Sequence, residues 1–115
     1  LVGSEMCIRD RLLMQVECYV RLNQPEKARP FLEQIRSRAG ITGTPETITL
    51  QTIEDELKKE FVFEDHRRTD MIRFGTFFTG TWWEKNKITP AYKGIFPIPA
   101  LEMQKNNKLQ QNPGY

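Results

Sequence analysis

The chain has 115 residues, of which 38% are hydrophobic and 28% are charged, and its formal net charge is +2. No apolar run approaches the roughly 18 residues of a membrane-spanning helix, and the charges are too evenly balanced to indicate a nucleic-acid-binding face. Two cysteines are too few for a disulfide scaffold, so the composition indicates a globular chain of at most one small domain.

Residues 1–11 resemble the translation of a transposon-based sequencing adapter. Read in one frame, the adapter's codons give residues 1–10 in order, and its last two bases plus one further base encode Arg11. The alternative is an ordinary helical start. Because adapter-derived residues carry no information about a fold, we interpret residues 12–115 as the native part. This interpretation also removes Cys7, and with it the one possible disulfide.

Two short helices joined by a tight turn are predicted next. Apolar residues spaced by three and four indicate the first helix over residues 12–22. Asn23 suits a left-handed helix stop, and Pro25 suits the first turn of the helix that follows. The second helix is predicted to stop at Gly40, with Pro30 either kinking it or delaying its start by about one turn. Such a hairpin resembles a tetratricopeptide unit, which needs neighbours to bury its hydrophobic face.

A third helix is predicted after a threonine-rich loop, beginning near Thr49 or Thr52. Thr52 and Asp55 stand in the order of a capping box, with Asp where Glu is usual. The apolar spacing continues to about Glu64, where we predict a bend or kink. A short helix then follows and ends at Gly75.

The remainder of the chain is predicted to be irregular. Residues 77–92 are aromatic without a clean period, and residues 95–99 must be extended because each proline disfavours the helical region for its predecessor. Residues 100–105 are predicted to form one helical turn. The predicted fold class is therefore mostly α, with a tetratricopeptide-like hairpin, a further kinked helix and an irregular proline-rich C-terminal tail.

The densest group of charged side chains lies between Lys58 and Arg73. Glu60 and Glu64 are four residues apart and are predicted to share one helix face. Paired carboxylates can perform acid–base chemistry, but a glycosidase separates them by about 5–9.5 Å across a sugar. Neighbouring positions on one helix beside arginines favour a salt-bridge network over ligand contact or catalysis.

The sequence predicts neither a catalytic group nor a metal site. His66 is the one histidine, and Cys18 does not supply the spacing of a zinc ligand. No serine or cysteine carries a nucleophile signature, and the glycines form no phosphate-binding loop. We therefore predict a non-enzymatic protein without a cofactor, in which His66 lies at a helix end or an interface.

Trp82 and Trp83 are the candidate ligand-binding residues. Aromatic faces stack on sugar rings, and irregular loops often carry such binding residues. The alternative is that one tryptophan packs on the helices while the other covers an edge. The sequence leaves both possibilities open.

The order of motifs over residues 12–115 resembles the C-terminal end of the SusD/RagB family, surface lipoproteins of Gram-negative bacteria that capture nutrients, mostly glycans. The hairpin ends in Arg38-Ala39-Gly40, as it does in the family. The family's helix motif, roughly E-R-x-x-E-L-x-F-E-G-x-R-x-x-D-L-x-R, is matched at Glu56, Glu60, Phe63, Glu64, Arg67, Asp70 and Arg73. The closing signature is matched at Phe96-Pro97-Ile98-Pro99, Glu102, Leu109 and Gln111-Asn112-Pro113-Gly114-Tyr115. The departures are Leu57 for Arg, Asp65 for Gly, Arg68 for an aromatic residue and Lys108 for Asn.

The resemblance implies binding without catalysis. Family members cap a SusC-like TonB-dependent outer-membrane transporter, deliver oligosaccharides to it, and are held at the cell surface by a lipid anchor at the mature N-terminus. The anchor and most of the protein would then lie upstream of this fragment, and Cys18 would not be the lipidated residue. Five matched charged residues are expected to form a structural staple that fixes their helix to the hairpin. These residues are Glu60, Glu64, Arg67, Asp70 and Arg73.

Two other functions belong to different classes. One is a tetratricopeptide-type protein-interaction module that binds no glycan, and the other is a fragment of a glycoside hydrolase. A pull-down of the full-length protein from membranes would test the first, because soluble partners and not a TonB-dependent transporter would be recovered. Turnover of oligosaccharides would indicate the second. As a fragment, the chain is expected to be unstable alone and to expose apolar surface that missing parts would cover.

Overall fold

Six α-helices and one 3-10 turn make up the helical structure in the computed structural model, which describes the backbone of residues 2–115 and the side chains of residues 8–115. The helices are α1 (Val2–Arg21), α2 (Pro25–Arg38), α3 (Leu50–Glu60), α4 (Arg67–Phe74), α5 (Thr76–Thr79) and α6 (Ala100–Lys105), and the 3-10 turn is Ala91–Gly94. Within this described part there is no β-strand beyond one isolated bridge. The predicted mostly-α fold class is confirmed.

The helices of the described residues are not of the kind that crosses a membrane. Over the described residues, none of them combines the length and the apolar character that a bilayer crossing requires. The side chains of residues 1–7, including Cys7, lie outside the described part, and the adapter origin of residues 1–11 stays a prediction.

The helical hairpin forms as its periodicity predicts. The chain leaves α1 through Asn23, whose φ of 58° is the left-handed stop, and α1 packs against both α2 and α3. The rings of Tyr19 and Phe31 stack across the hairpin with centroids 5.8 Å apart. The apolar core of this region consists of Leu13, Val16, Ala28, Leu32, Ile35, Ile48, Ile53, Leu57 and Phe61.

Pro30 does not delay the start of α2. The helix begins at Pro25 and continues through Pro30 to Arg38, so the predicted later start is wrong. Pro30 is exposed and removes one helical hydrogen bond, while the buried side chains of Ala28 and Leu32 hold the turns on either side.

The third helix begins near Thr49, one of its two predicted starts, but its capping box and its C-terminal end differ from prediction. Its N-cap is Thr49, and the capping box joins Thr49 to Thr52, each backbone N–H donating to the other's hydroxyl at 3.2 Å. The predicted box at Thr52 and Asp55 is therefore wrong, because the helix starts one turn earlier. At the other end α3 stops at Glu60 and not near Glu64.

The α3–α4 turn, residues 61–65, replaces the predicted last turn of helix. Phe63 and Asp65 both have left-handed backbone, with φ values of 65° and 58°. Because the helix ends before it, Glu64 does not share a helix face with Glu60, and that expectation is wrong. His66 precedes α4 directly, at a helix end as predicted, and its carbonyl accepts the N–H of Asp70 at 3.1 Å.

The chain divides into two compact units, Leu1–Asp70 and Met71–Tyr115. The second unit contains α5, the 3-10 turn, an extended segment over residues 95–99 and α6, as the prolines predict for the extended part. Among its described residues only Met71 is buried. Its large exposed apolar side chains are Trp82, Trp83, Ile88, Tyr92, Ile95, Phe96, Leu101, Leu109 and Tyr115. The second unit therefore has almost no core of its own.

Candidate functional site

Glu60 joins three helices at the end of α3. Its carboxylate accepts a hydrogen bond from Arg9 of α1 at 3.0 Å and is also paired with Arg38 of α2. Arg9 additionally donates to the carbonyl oxygen of Glu60 at 2.9 Å, so one guanidinium satisfies both the side chain and an unpaired helix-end carbonyl. Burial lowers the pKa of Arg9, but its bonds to Glu60 and Glu64 outweigh burial and raise that pKa above its ordinary value.

Glu64 reaches the same arginine from the α3–α4 turn. Its Oε1 lies 3.2 Å from Nη2 of Arg9, and the Arg9 guanidinium sits 5.2 Å from the centre of the Phe61 ring. Phe61 is buried and stacks on His66 with centroids 4.6 Å apart. Within the described part of the chain, Oε2 of Glu64 is the one buried side-chain polar atom that lacks a hydrogen-bond partner. Arg9 thus brings Glu60 and Glu64 together although they occupy different elements.

A second ion pair links α3 to α4. Nη1 of Arg67 donates to Oε1 of Glu54 at 2.9 Å, and the Glu54 side chain is only 3% exposed. Asp70 is also buried, and its Oδ2 lies 3.8 Å from Nδ1 of His66. Arg73 belongs to the second unit, where its guanidinium lies 4.6 Å from the centre of the Phe74 ring.

The partners of the predicted staple residues include residues that the sequence did not single out. Arg9 lies in the adapter-like segment, and Glu54 is not among the matched family positions. One signal in the sequence indicates that Glu54 faces the core: it lies three residues before Leu57, within the apolar spacing of α3. Glu56, a matched family position, pairs with Arg36 of α2 and lies 3.4 Å from the Lys59 ammonium.

The chemistry of this cluster is charge pairing. The carboxylates of Glu54, Glu56, Glu60 and Glu64 each contact an arginine guanidinium. In the part of the chain with described side chains, no three histidine, cysteine or acidic residues gather in a metal-binding arrangement. These ion pairs join α3 to α1, α2 and α4.

The two tryptophans lie in a small hairpin in the second unit, here called the tryptophan hairpin (residues 82–85). Trp82 and Lys85 exchange two backbone hydrogen bonds of 3.0 and 2.9 Å. The Lys85 ammonium lies 4.8 Å from the centre of the Trp82 ring and donates to the carbonyl of Gly80. Trp82 is 50% exposed and Trp83 is 94% exposed. The hairpin therefore presents two aromatic faces on a braced backbone.

Comparisons with known proteins place these motifs in a family. The model of the SusD family matches residues 6–94 of the chain. The starch-binding protein SusD of Bacteroides thetaiotaomicron is 33% identical over 91 residues, which cover 73% of this chain and 16% of that protein. SusD-like protein P25 of Formosa agariphila is 32% identical over 125 residues, covering 94% of this chain and 24% of that protein.

The chain spans less than a quarter of the length of these two relatives. The matched range nevertheless includes the helical hairpin, the charged cluster on α3 and α4, and the tryptophan hairpin. On the strength of this match over most of its length, the chain belongs to the SusD family.

Proposed function

We propose that the protein to which this chain belongs captures an oligosaccharide nutrient at the bacterial surface and delivers it, unchanged, to a SusC-like TonB-dependent outer-membrane transporter. The observation that carries this proposal is the family match over residues 6–94, together with a relative that is a starch-binding protein. The protein is held at the outer membrane by a lipid anchor that precedes residue 12 in the intact polypeptide.

The geometry of the charged cluster supports binding over catalysis. A general acid needs a carboxyl group that is held protonated and faces the substrate. Glu60 is instead paired with Arg38, and Glu54 accepts a hydrogen bond from Arg67 at 2.9 Å. Glu60 and Arg67, two of the five staple residues, thereby hold α3 to the hairpin and to the start of α4.

Sugar contact is assigned to the tryptophan hairpin. An exposed indole leaves a large flat apolar face in water, and the apolar face of a sugar ring can cover such a surface. Trp83 is almost fully exposed, and the backbone bridge between Trp82 and Lys85 fixes the loop that carries it. A fixed loop loses little conformational freedom on binding, which favours affinity.

The test of binding is calorimetric titration of the intact protein with linear maltooligosaccharides and a panel of other oligosaccharides. Trp83→Ala is expected to weaken binding about tenfold or more, since a buried aromatic contact contributes upwards of about 1.4 kcal/mol. Ile88→Ala removes another exposed apolar side chain of the second unit and is the matched control, expected to bind normally. If no oligosaccharide binds the intact protein, the proposed function is wrong. If binding survives Trp83→Ala unchanged, only the assignment to the hairpin is wrong.

Delivery to a transporter is tested by affinity purification of the intact, tagged protein from detergent-solubilised membranes. Co-purification of a TonB-dependent transporter is the expected result. Recovery of soluble partners alone would favour the tetratricopeptide-type interaction module. Release of new reducing ends from the bound oligosaccharide would instead favour a glycoside hydrolase.

A further inference from the structure

We propose that the two tryptophans of the hairpin have different roles: Lys85 holds Trp82 as the anchor of the tryptophan hairpin, and Trp83 alone meets the sugar. This inference rests on the proposed function and adds Lys85 as a positioning residue of its binding site. The two indoles differ in exposure, which is 50% for Trp82 and 94% for Trp83. A half-covered ring already has neighbours within the chain, whereas an almost fully exposed ring has its faces available to a ligand.

Trp82 is covered by residues of its own unit. The Lys85 ammonium stands over the indole, 4.8 Å from the ring centre, and tryptophan is the aromatic side chain that attracts a cation most strongly. The indole also lies against Gly80, since a β-carbon added there would be 3.7 Å from Cζ3 of Trp82. The face that Lys85 occupies is therefore closed to a sugar ring.

The Lys85 side chain links the hairpin to the end of α5. Its ammonium donates to the carbonyl oxygen of Gly80, the residue that caps α5, and the N–H of Gly80 donates to the carbonyl of Thr76 at 2.7 Å. A lysine suits this place because the last carbonyls of a helix lack partners within it. Since Lys85 also exchanges two backbone hydrogen bonds with Trp82, one residue fixes both the anchor ring and the hairpin backbone to a helix end.

Trp83 lies in the turn that the bridge between Trp82 and Lys85 closes. Its backbone is thus fixed on both sides, while its indole stays in solvent. Because the turn is ordered before binding, a sugar that stacks on Trp83 does not have to order it. Removal of the Lys85 charge would release Trp82 and add that ordering cost to the binding step. Lys85 therefore contributes to affinity without touching the sugar.

Calorimetric titration of the intact protein with the tightest-binding oligosaccharide of the panel tests the role of Lys85. Lys85→Met keeps the length of the side chain without its charge and is expected to weaken binding about three- to tenfold, because the hairpin must then be ordered on binding. Lys85→Arg keeps a cation that stacks on indoles and donates hydrogen bonds, so it should restore most of the affinity. Lys87→Met removes an exposed lysine two residues further on and is the matched control, expected to bind normally. Normal binding by Lys85→Met, or equal losses in Lys85→Met and Lys85→Arg, would overturn the proposal.

Fluorine NMR of the intact protein labelled with fluorotryptophan separates the two indoles, and Trp82→Phe and Trp83→Phe assign their signals. Addition of the oligosaccharide is expected to shift the Trp83 signal and to leave the Trp82 signal in place. Lys85→Met is expected to shift the Trp82 signal in the absence of sugar. Equal sugar-induced shifts of both signals, or a Trp82 signal unaffected by Lys85→Met, would overturn the proposal and leave the proposed function standing.

Added salt distinguishes positioning by Lys85 from direct contact with an anionic sugar. A stacking contact with an uncharged ring depends little on salt, whereas an exposed ion pair is screened. We therefore expect the affinities of the unmodified protein and of Lys85→Met to have the same salt dependence. A steeper dependence in the unmodified protein would make Lys85 a direct contact and overturn its positioning role. Absence of binding by every oligosaccharide in the panel would instead refute the proposed function, and this inference with it.

Discussion

The side chain of Gln111 pairs with both backbone polar groups of Ile98. Its Oε1 accepts the N–H of Ile98 at 2.8 Å, and its Nε2 donates to the carbonyl of Ile98 at 2.9 Å. Ile98 stands between Pro97 and Pro99, which have no N–H, so it has the one backbone donor of these three residues. One amide side chain therefore performs the pairing that a neighbouring β-strand would otherwise provide.

Two more tail residues close on the same extended segment, residues 95–99. Asn112 donates from Nδ2 to the carbonyl of Phe96 at 2.7 Å, and the Tyr115 hydroxyl donates to the carbonyl of Ile95 at 2.9 Å. These contacts explain why the closing motif carries amide and hydroxyl side chains in that order. Gln111, Asn112 and Tyr115, here called the C-terminal clasp, therefore hold the extended segment through hydrogen bonds to its backbone.

Removal of the amide of Gln111 should open this clasp. Gln111→Ala is expected to speed hydrogen exchange of the Ile98 amide about tenfold and to cost about 1–2 kcal/mol of stability, because both hydrogen bonds to Ile98 and the one from the Asn112 N–H are lost. Gln111→Glu should also speed exchange of the Ile98 amide, since it would place a carboxylate oxygen against the Ile98 carbonyl oxygen. Gln110→Ala changes an exposed neighbour and should leave exchange unaltered. Unchanged exchange in Gln111→Ala would refute the clasp.

Arg29 ties α2 to the loop that precedes α3. It donates to the Thr44 hydroxyl at 2.7 Å and to the carbonyls of Pro45 and Glu46, both at 2.9 Å. It also forms hydrogen bonds to both carboxylate oxygens of Glu26, at 3.1 and 3.2 Å. Hydrogen bonding to Arg29, and secondarily its charge, lowers the pKa of Glu26.

The lowered pKa of Glu26 sets the pH range in which this pair stabilises the fold. The contribution is complete above the ordinary pKa of glutamate, about 4.3, and is lost as the pH falls through the lower folded value. Carbon-detected NMR titration should therefore give Glu26 a midpoint below the ordinary one. In Arg29→Ala the midpoint should return upwards, and an unchanged midpoint there would show that Arg29 is not the cause.

Loss of Arg67 should affect stability and not sugar binding. Arg67→Ala removes the guanidinium that donates to the buried carboxylate of Glu54 at 2.9 Å. Breaking a buried pair costs about 3–5 kcal/mol, and because Arg67 is 40% exposed we expect about 1–3 kcal/mol. Thermal melting and oligosaccharide affinity of the intact protein are the two measurements. Lys27→Ala removes an exposed cation of α2 as the control. Weaker affinity at unchanged stability would show that Arg67 contacts the ligand.

Arg9 should contribute to the stability of this chain despite its place in the adapter-like segment. It contacts Glu60, Glu64 and the Phe61 ring, whereas Arg11 is exposed. Arg9→Ala is expected to cost about 1–3 kcal/mol and Arg11→Ala less than about 0.5 kcal/mol, as measured by urea unfolding. Equal effects of the two substitutions would show that the contacts of Arg9 do not stabilise the fold.

The origin of residues 1–11 is decided by resequencing the genomic locus with long reads. We expect a different sequence before position 12, with a basic residue placed to face Glu60 and Glu64. The family match begins at residue 6, so part of the adapter-like segment lies inside it. Genomic codons that reproduce residues 1–11 would refute the adapter interpretation.

Local steric rules explain what could be predicted from the sequence. The apolar spacing of α1 and α2 depends on residues three and four apart, and it predicted the hairpin. The left-handed stops at Asn23 and Gly75 follow from the conformational preferences of those residues. The extended segment of residues 95–99 follows from its prolines. The order of the motifs along the chain predicted the family.

Tertiary contacts determined the features of the fold that local steric rules do not predict. The apolar spacing of α3 continues past Glu60, yet the helix ends there and the chain turns through left-handed backbone at Phe63 and Asp65. The exposure of Trp83 likewise depends on the turn that the bridge between Trp82 and Lys85 closes. Helical periodicity, turn preferences and proline effects act over a few neighbouring residues, so they can be predicted from the sequence alone. The ion pairs and the clasp require groups distant in sequence to meet at hydrogen-bonding distance, which only the folded chain determines.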